Sequence, residues 1–76
     1  MRELTVFPPA GSFDRIGVVV VDGTENMNDE RLRNRLKDEA ADRGANAVIY
    51  QGPVKTVPYR DGAKQKRLAG FAIRLK

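Results

Sequence analysis

Asp38 and Asp42 stand four residues apart with Glu39 between them, so a helix would gather three carboxylates of the kind that hold a hard cation. Arg35 and Arg43 flank them and compete for the same oxygens, so a solvated face of mixed charge is expected instead. Asp22, Glu25, Asp29 and Glu30 form a second acidic group, but they lack the alternating oxygen ligands and the distal bidentate glutamate of a calcium loop. Asp22-Gly23-Thr24 has the make-up of half a proton-sharing carboxylate dyad, which a second copy would have to complete. A strand-ending turn is the simpler reading of that triplet. Ser12, Thr24 and Thr56 have no histidine partner, because the 76-residue chain contains no histidine, so a Ser-His-Asp arrangement is excluded. It contains no cysteine either, which removes thiolate nucleophiles, disulfides and sulfur-ligated zinc. There is no glycine-rich phosphate loop. Neither a catalytic residue nor a metal ligand nor a cofactor is expected.

What remains is charge. The formal net charge is +4, from 14 basic and 10 acidic residues. Residues 53–76 hold seven of the basic residues and a single acid, Asp61. Within that stretch Lys55, Arg60, Lys64, Lys66 and Arg67 form a candidate surface for an anionic partner: a protein, a lipid surface or the cell envelope. Tyr59 beside Arg60 offers a stacking platform next to cations, so nucleic acid is the alternative partner. No RNA-recognition, KH or cold-shock signature supports that alternative.

The elements that must position these residues are legible in part. The length fits one small domain with a modest core. No apolar run approaches the roughly 18 residues of a membrane span, and no signal-peptide pattern is visible. Arg2–Phe7 reads as an edge strand or, with Pro8-Pro9 after it, as an extended arm. Arg15–Val21, with four consecutive valines, reads as a central strand ended by Asp22-Gly23. Asn28–Arg43 is the clearest helix. Asn26 or Asn28 caps it, and Leu32, Leu36 and Ala40 recur every four residues, with Ala41 widening the stripe. Its charged faces carry the i,i+4 pairs Asp29–Arg33, Arg35–Glu39 and Glu39–Arg43. Gly44 fits the left-handed position after a helix, and Gly44-Ala45-Asn46 is a short link to a strand at Ala47–Gln51. Residues 53–66 form a variable basic loop or hairpin with Asp61-Gly62 near its tip, and Leu68–Leu75 is the last strand.

The expected fold is α+β: one amphipathic helix on a three- to four-stranded mixed or antiparallel sheet, in the order (β)-β-α-β-β. The expected core is Val18, Val20, Leu32, Leu36, Ala40, Val48, Tyr50, Phe71 and Ile73. The sheet face away from the helix is expected to meet water or another subunit.

The run Leu32-Arg33-Asn34 through Gly44-Ala45-Asn46-Ala47-Val48 (LRNRLKDEAADRGANAV) resembles the LRN-x-AA-x-x-GAN-x-V core of small bacterial envelope lipoprotein domains. Those include the outer-membrane lipoprotein sensor of the Rcs stress system and, more distantly, the YbjQ-type domains. The closing Ala69-Gly70-Phe71-Ala72-Ile73-Arg74 (AGFAIR) resembles their final strand. The resemblance covers about residues 14–76 and implies a β-α-β-β fold and an envelope setting. The disulfides and lipobox cysteine of that group have no counterpart here, and no metal ligand carries over. An upstream lipobox would place the domain in the periplasm or on the outer membrane, and a true start at Met1 would place it in the cytoplasm.

The sequence therefore predicts a non-enzymatic interaction or sensor-type module that contacts an anionic partner through residues 55–67. A nucleic-acid-binding protein and a homo-oligomeric, ligand-enclosing subunit are its rivals. Gly44, Ala45 and Asn46 are expected to serve structure rather than binding.

Overall fold

In the computed structural model, which describes residues 1–76, one helix lies across a single mixed sheet of five strands. The elements are β1 (Arg2–Leu4), β2 (Phe13–Thr24), α1 (Asp29–Asp42), β3 (Ala47–Tyr50), β4 (Lys55–Pro58) and β5 (Lys64–Leu75). The long β5 organises the sheet. β2 pairs antiparallel along one of its sides, while β3 and β4 share the other side end to end. β1 adds a parallel edge to β3. The stretch after the helix is thus two strands rather than one, interrupted at residues 51–54, which takes the sheet beyond the expected three or four.

Helix α1 forms where the periodicity places it. Asn28 sits in extended backbone and its side chain accepts a hydrogen bond from Arg31 N–H at 2.8 Å, the N-cap expected of asparagine. Asp29 and Glu30 follow in the first turn, at the positive end of the helix dipole. Leu32, Leu36 and Ala40 are fully buried, whereas Ala41 is exposed and does not widen the stripe. The expected i,i+4 ion pairs do not form. All four ion pairs join different elements or the chain end: Lys37–Glu3, Lys66–Asp29, Arg67–Asp22 and Lys76–Asp14.

The helix exit is built by the Gly44-Ala45-Asn46 link. Gly44 has φ +91°, a left-handed conformation that a Cβ disfavours. Ala45 is buried in the core beneath the helix end. Asn46 acts as a one-residue extension of β3. Its backbone N–H donates to the Ile73 carbonyl (3.1 Å), its Oδ1 accepts from Leu75 N–H (2.6 Å) and its Nδ2 donates to the Leu75 carbonyl (3.2 Å).

The two sheet faces are packed differently from the sequence reading. Against the helix lie Val19, Val21, Val48, Leu68 and Ala72. Val18 and Val20, expected in the core, are 49 % and 52 % exposed. A four-valine run has no polar alternation to fix its parity, and a register shift between Arg15 and Gly17 sets it here. Phe71 and Ile73 also turn away from the helix, joining Ala47 and Ile49 in a second apolar cluster with Leu4, Phe13 and Leu75 around it. Small residues of β5 meet the helix instead. A Cβ on Gly70 would stand 3.1 Å from the Ile49 carbonyl oxygen and 3.4 Å from Leu36, so Leu36 seats closely over this glycine. The second face is not left wholly to water. The connection from β1 on one edge to β2 on the other crosses it, and Phe7 packs on Phe13 and Phe71 with ring centroids 5.7 and 5.1 Å apart. Arg15 lies 5.2 Å from the Phe7 ring centroid, in cation–π range.

β2 also runs through Asp22-Gly23-Thr24 instead of ending there. Gly23 is a close-approach site: a Cβ would meet the Met27 sulfur at 2.6 Å and Leu32 at 3.2 Å.

Candidate functional site

β4 and β5 form a hairpin closed by a single 3-10 turn at Arg60–Gly62. Tyr59 N–H donates to the Ala63 carbonyl (2.8 Å) and Ala63 N–H to the Arg60 carbonyl (2.9 Å). At the tip Asp61 adopts φ 55°, ψ 39°, which aspartate tolerates better than most side chains. Twelve strand residues span roughly 40 Å whereas fourteen helical residues span roughly 21 Å. β5 therefore outruns α1. Lys66 is tied to Asp29, the first residue of the helix, at 3.3 Å, so residues 57–65 extend past the helix start.

The five basic residues singled out by sequence all lie on this hairpin, but they do not converge. The register Thr56↔Lys66 and Pro58↔Lys64 puts Lys64 and Lys66 on the helix side of the sheet. Lys55↔Arg67 puts those two on the opposite side, where both border a surface depression of about 170 Å³ with Gln51, Gly52, Pro53 and Ala69. Arg60 stands at the tip. Two of the five are neutralised. Lys66 pairs with Asp29, and Arg67 donates from Nε to Asp22 Oδ1 at 2.7 Å. The hydrogen bond to Asp22, and then its charge, push the Arg67 guanidinium above its ordinary value. Lys55, Arg60 and Lys64 have no acidic partner.

Sequence reading missed these pairings because their partners are 37 and 45 residues away. The strand register reveals one, with Asp22 opposite Arg67 across β2 and β5, and the packing of the helix start against β5 reveals the other. Asp38 borders a shallow depression beside Arg31 and Arg35. No three acidic side chains come together closely enough to share a metal ion.

The other titratable cluster lies at the β1–β3 edge. Lys37 Nζ bonds Glu3 Oε1 at 2.6 Å and holds that carboxyl below its ordinary 4.5. Beside it, burial and then the Glu3 charge push the Tyr50 phenol up to about 12. Its hydroxyl oxygen is buried without a hydrogen-bond partner of sound geometry. None of Glu3, Lys37 and Tyr50 lines a surface depression, so this corner offers no cleft. Gly44 and Asn46 face their own backbone, as described above, and take no part in the basic surface.

Compared with known proteins, the chain matches no family model and no curated sequence.

Proposed function

We propose that the protein is a non-enzymatic interaction module whose protruding β4–β5 hairpin contacts an acidic surface on a partner protein. The observation that carries this reading is the hairpin itself. It extends past the helix and bears Lys55, Arg60 and Lys64 without acidic partners, while Lys66 and Arg67 are already neutralised. Unpaired charge on a projecting arm steers association with a complementary surface. Asp61 at the tip favours a protein over a polyanion. A bilayer or a phosphate backbone would press negative charge against that carboxylate, whereas a protein surface of mixed charge would not. An envelope setting belongs to the same proposal and rests on the resemblance carried by Leu32–Val48 and Ala69–Arg74.

The test compares three probes: a glutamate-rich peptide with interspersed lysines, phosphatidylglycerol vesicles and a DNA duplex. Each is titrated against the wild type and against a Lys55→Glu/Arg60→Glu/Lys64→Glu variant, at low and high salt. Binding of the mixed-charge acidic peptide that weakens with salt and disappears in the variant supports the proposal. Preference for vesicles or DNA transfers the site to the corresponding rival. Binding indifferent to both salt and the substitutions rejects it.

A further inference from the structure

β2 is the last strand on its side of the sheet, so one of its edges meets β5 and the other meets solvent. Which backbone groups lie on the open edge follows from hydrogen bonds elsewhere. Lys76 N–H donates to the Ser12 carbonyl, continuing the β2 side of the ladder at 3.1 Å. On the other side, the Ala69 and Ile73 carbonyls accept from Gln51 and Asn46 N–H, at 3.0 and 3.1 Å. Even-numbered residues of β5 therefore turn their backbone towards β2, and odd-numbered ones towards β3. Ala72, Gly70 and Leu68 stand opposite Gly17, Val19 and Val21. Opposed residues whose backbone groups face each other exchange both bonds, and they alternate with opposed pairs that exchange none. Gly17, Val19 and Val21 are thus bonded inward, and Val18, Val20 and Asp22 present N–H and C=O at the open edge.

Two helical arginines reach that edge. Arg43 Nη1 donates to the Val18 carbonyl (3.3 Å) and Arg35 Nη1 to the Asp22 carbonyl (2.9 Å). Eight helical residues rise about 12 Å, and four strand residues span about 13 Å. Helix and strand are therefore in step, and Glu39, midway between the arginines, falls level with Val20. None of the three belongs to an ion pair. The Val20 N–H and C=O are left uncovered, and the Val18 and Val20 side chains are half exposed on the face away from the helix. A long edge of this kind is a template for another strand.

We propose that this edge is a homodimer interface, in which β2 pairs antiparallel with β2 of a second copy about a two-fold axis through Val19. Val18 of each copy then opposes Val20 of the other, giving four backbone hydrogen bonds and two Val–Val pairs. Arg43 of each copy comes level with Glu39 of the other and exchanges its hold on the Val18 carbonyl for that carboxylate. The helix charges and the position of Asp22 together select this register. An axis through Val20 would set Arg43 level with Arg35 and Glu39 level with Glu39, all like charges. An axis through Val21 would set Glu39 level with Arg35, but it would oppose the Val20 side chain to Asp22, whose carboxylate is held by Arg67. The occupant is a second copy because the edge is complementary to itself in charge order and in backbone hydrogen-bonding pattern, as an isologous interface must be. This interface is separate from the hairpin and does not depend on the function proposed for it.

Sedimentation velocity from micromolar to millimolar concentration reads the dimer. Val20→Lys abolishes it. Because the two-fold doubles each change, Arg43→Glu and Glu39→Arg each raise the dimer dissociation constant about tenfold. The Arg43→Glu/Glu39→Arg double variant returns it to near wild type. Amide exchange supplies the structural readout: Val19 and Val21 stay protected in every folded variant, and Val18 and Val20 become protected only in the dimer. A chain that stays monomeric at millimolar concentration overturns the proposal. So does a dimer whose Val18 and Val20 amides exchange freely, or a double variant no tighter than the single ones.

Discussion

Replacing Asn46 with alanine separates a structural from a ligand-binding role for the Gly44-Ala45-Asn46 link. The side-chain amide of Asn46 satisfies both backbone groups of Leu75, accepting from its N–H at 2.6 Å and donating to its carbonyl at 3.2 Å. Both bonds are part-buried, and β3 does not reach far enough to replace them, because its register with β5 begins at Ala47↔Ile73. Each such bond contributes about 0.5–1.5 kcal/mol net, so Asn46→Ala is expected to cost about 1–3 kcal/mol. For a domain of this size that lowers Tm by about 4–8 °C per kcal/mol. Asn34, exposed on α1 and making no side-chain hydrogen bond, is the control, and Asn34→Ala should stay within about 0.5 kcal/mol of the wild type. Urea unfolding followed by far-UV circular dichroism measures both, with the slope of the transition checking that the unfolded state is unchanged. An Asn46→Ala chain as stable as the Asn34→Ala control would refute the reasoning, and Asn46 would then need a role outside the fold.

Three further outcomes are expected. Gly44→Ala places a Cβ at φ +91° and should destabilise by about 1–2 kcal/mol in the same unfolding assay, with the fold retained. Val19→Ala should cost about 2 kcal/mol or more, while Val18→Ala stays below about 1 kcal/mol, because Val19 is 1 % exposed and Val18 49 %; equal costs would contradict the strand parity. The Tyr50 phenol is held up at about 12 by burial, so above its ordinary 10.0 the unfolded chain ionises first. Between those values the folded state holds the extra proton, and stability falls as pH rises. Tyr50→Phe should remove that share of the alkaline loss in pH-dependent unfolding, without harm at neutral pH, since the hydroxyl it deletes has no partner.

The helix, its asparagine cap, the glycine exit and the hairpin tip were legible because each rests on local chemistry: a 3.6-residue stripe, a side-chain acceptor, a positive φ, a turn dipeptide. The basic segment was legible as composition but not as a site. Whether a lysine is free depends on what the sheet register brings opposite it, and Asp22 reaches Arg67 only across two strands.

Sequence by itself determined that one amphipathic helix would lie on one sheet, since Leu32, Leu36 and Ala40 have nowhere else to be buried. Only the tertiary structure decided which sheet face the helix takes. Hydrophobicity alone favours Phe71 and Ile73 under the helix. Close packing favours the small Gly70 and Ala72 there, because Leu36 comes within contact distance of a Cβ at Gly70. The larger side chains then fall to the other face, where Phe7, brought across by the β1–β2 connection, covers Phe13 and Phe71. That choice is steric and non-local, so no window along the chain contains it.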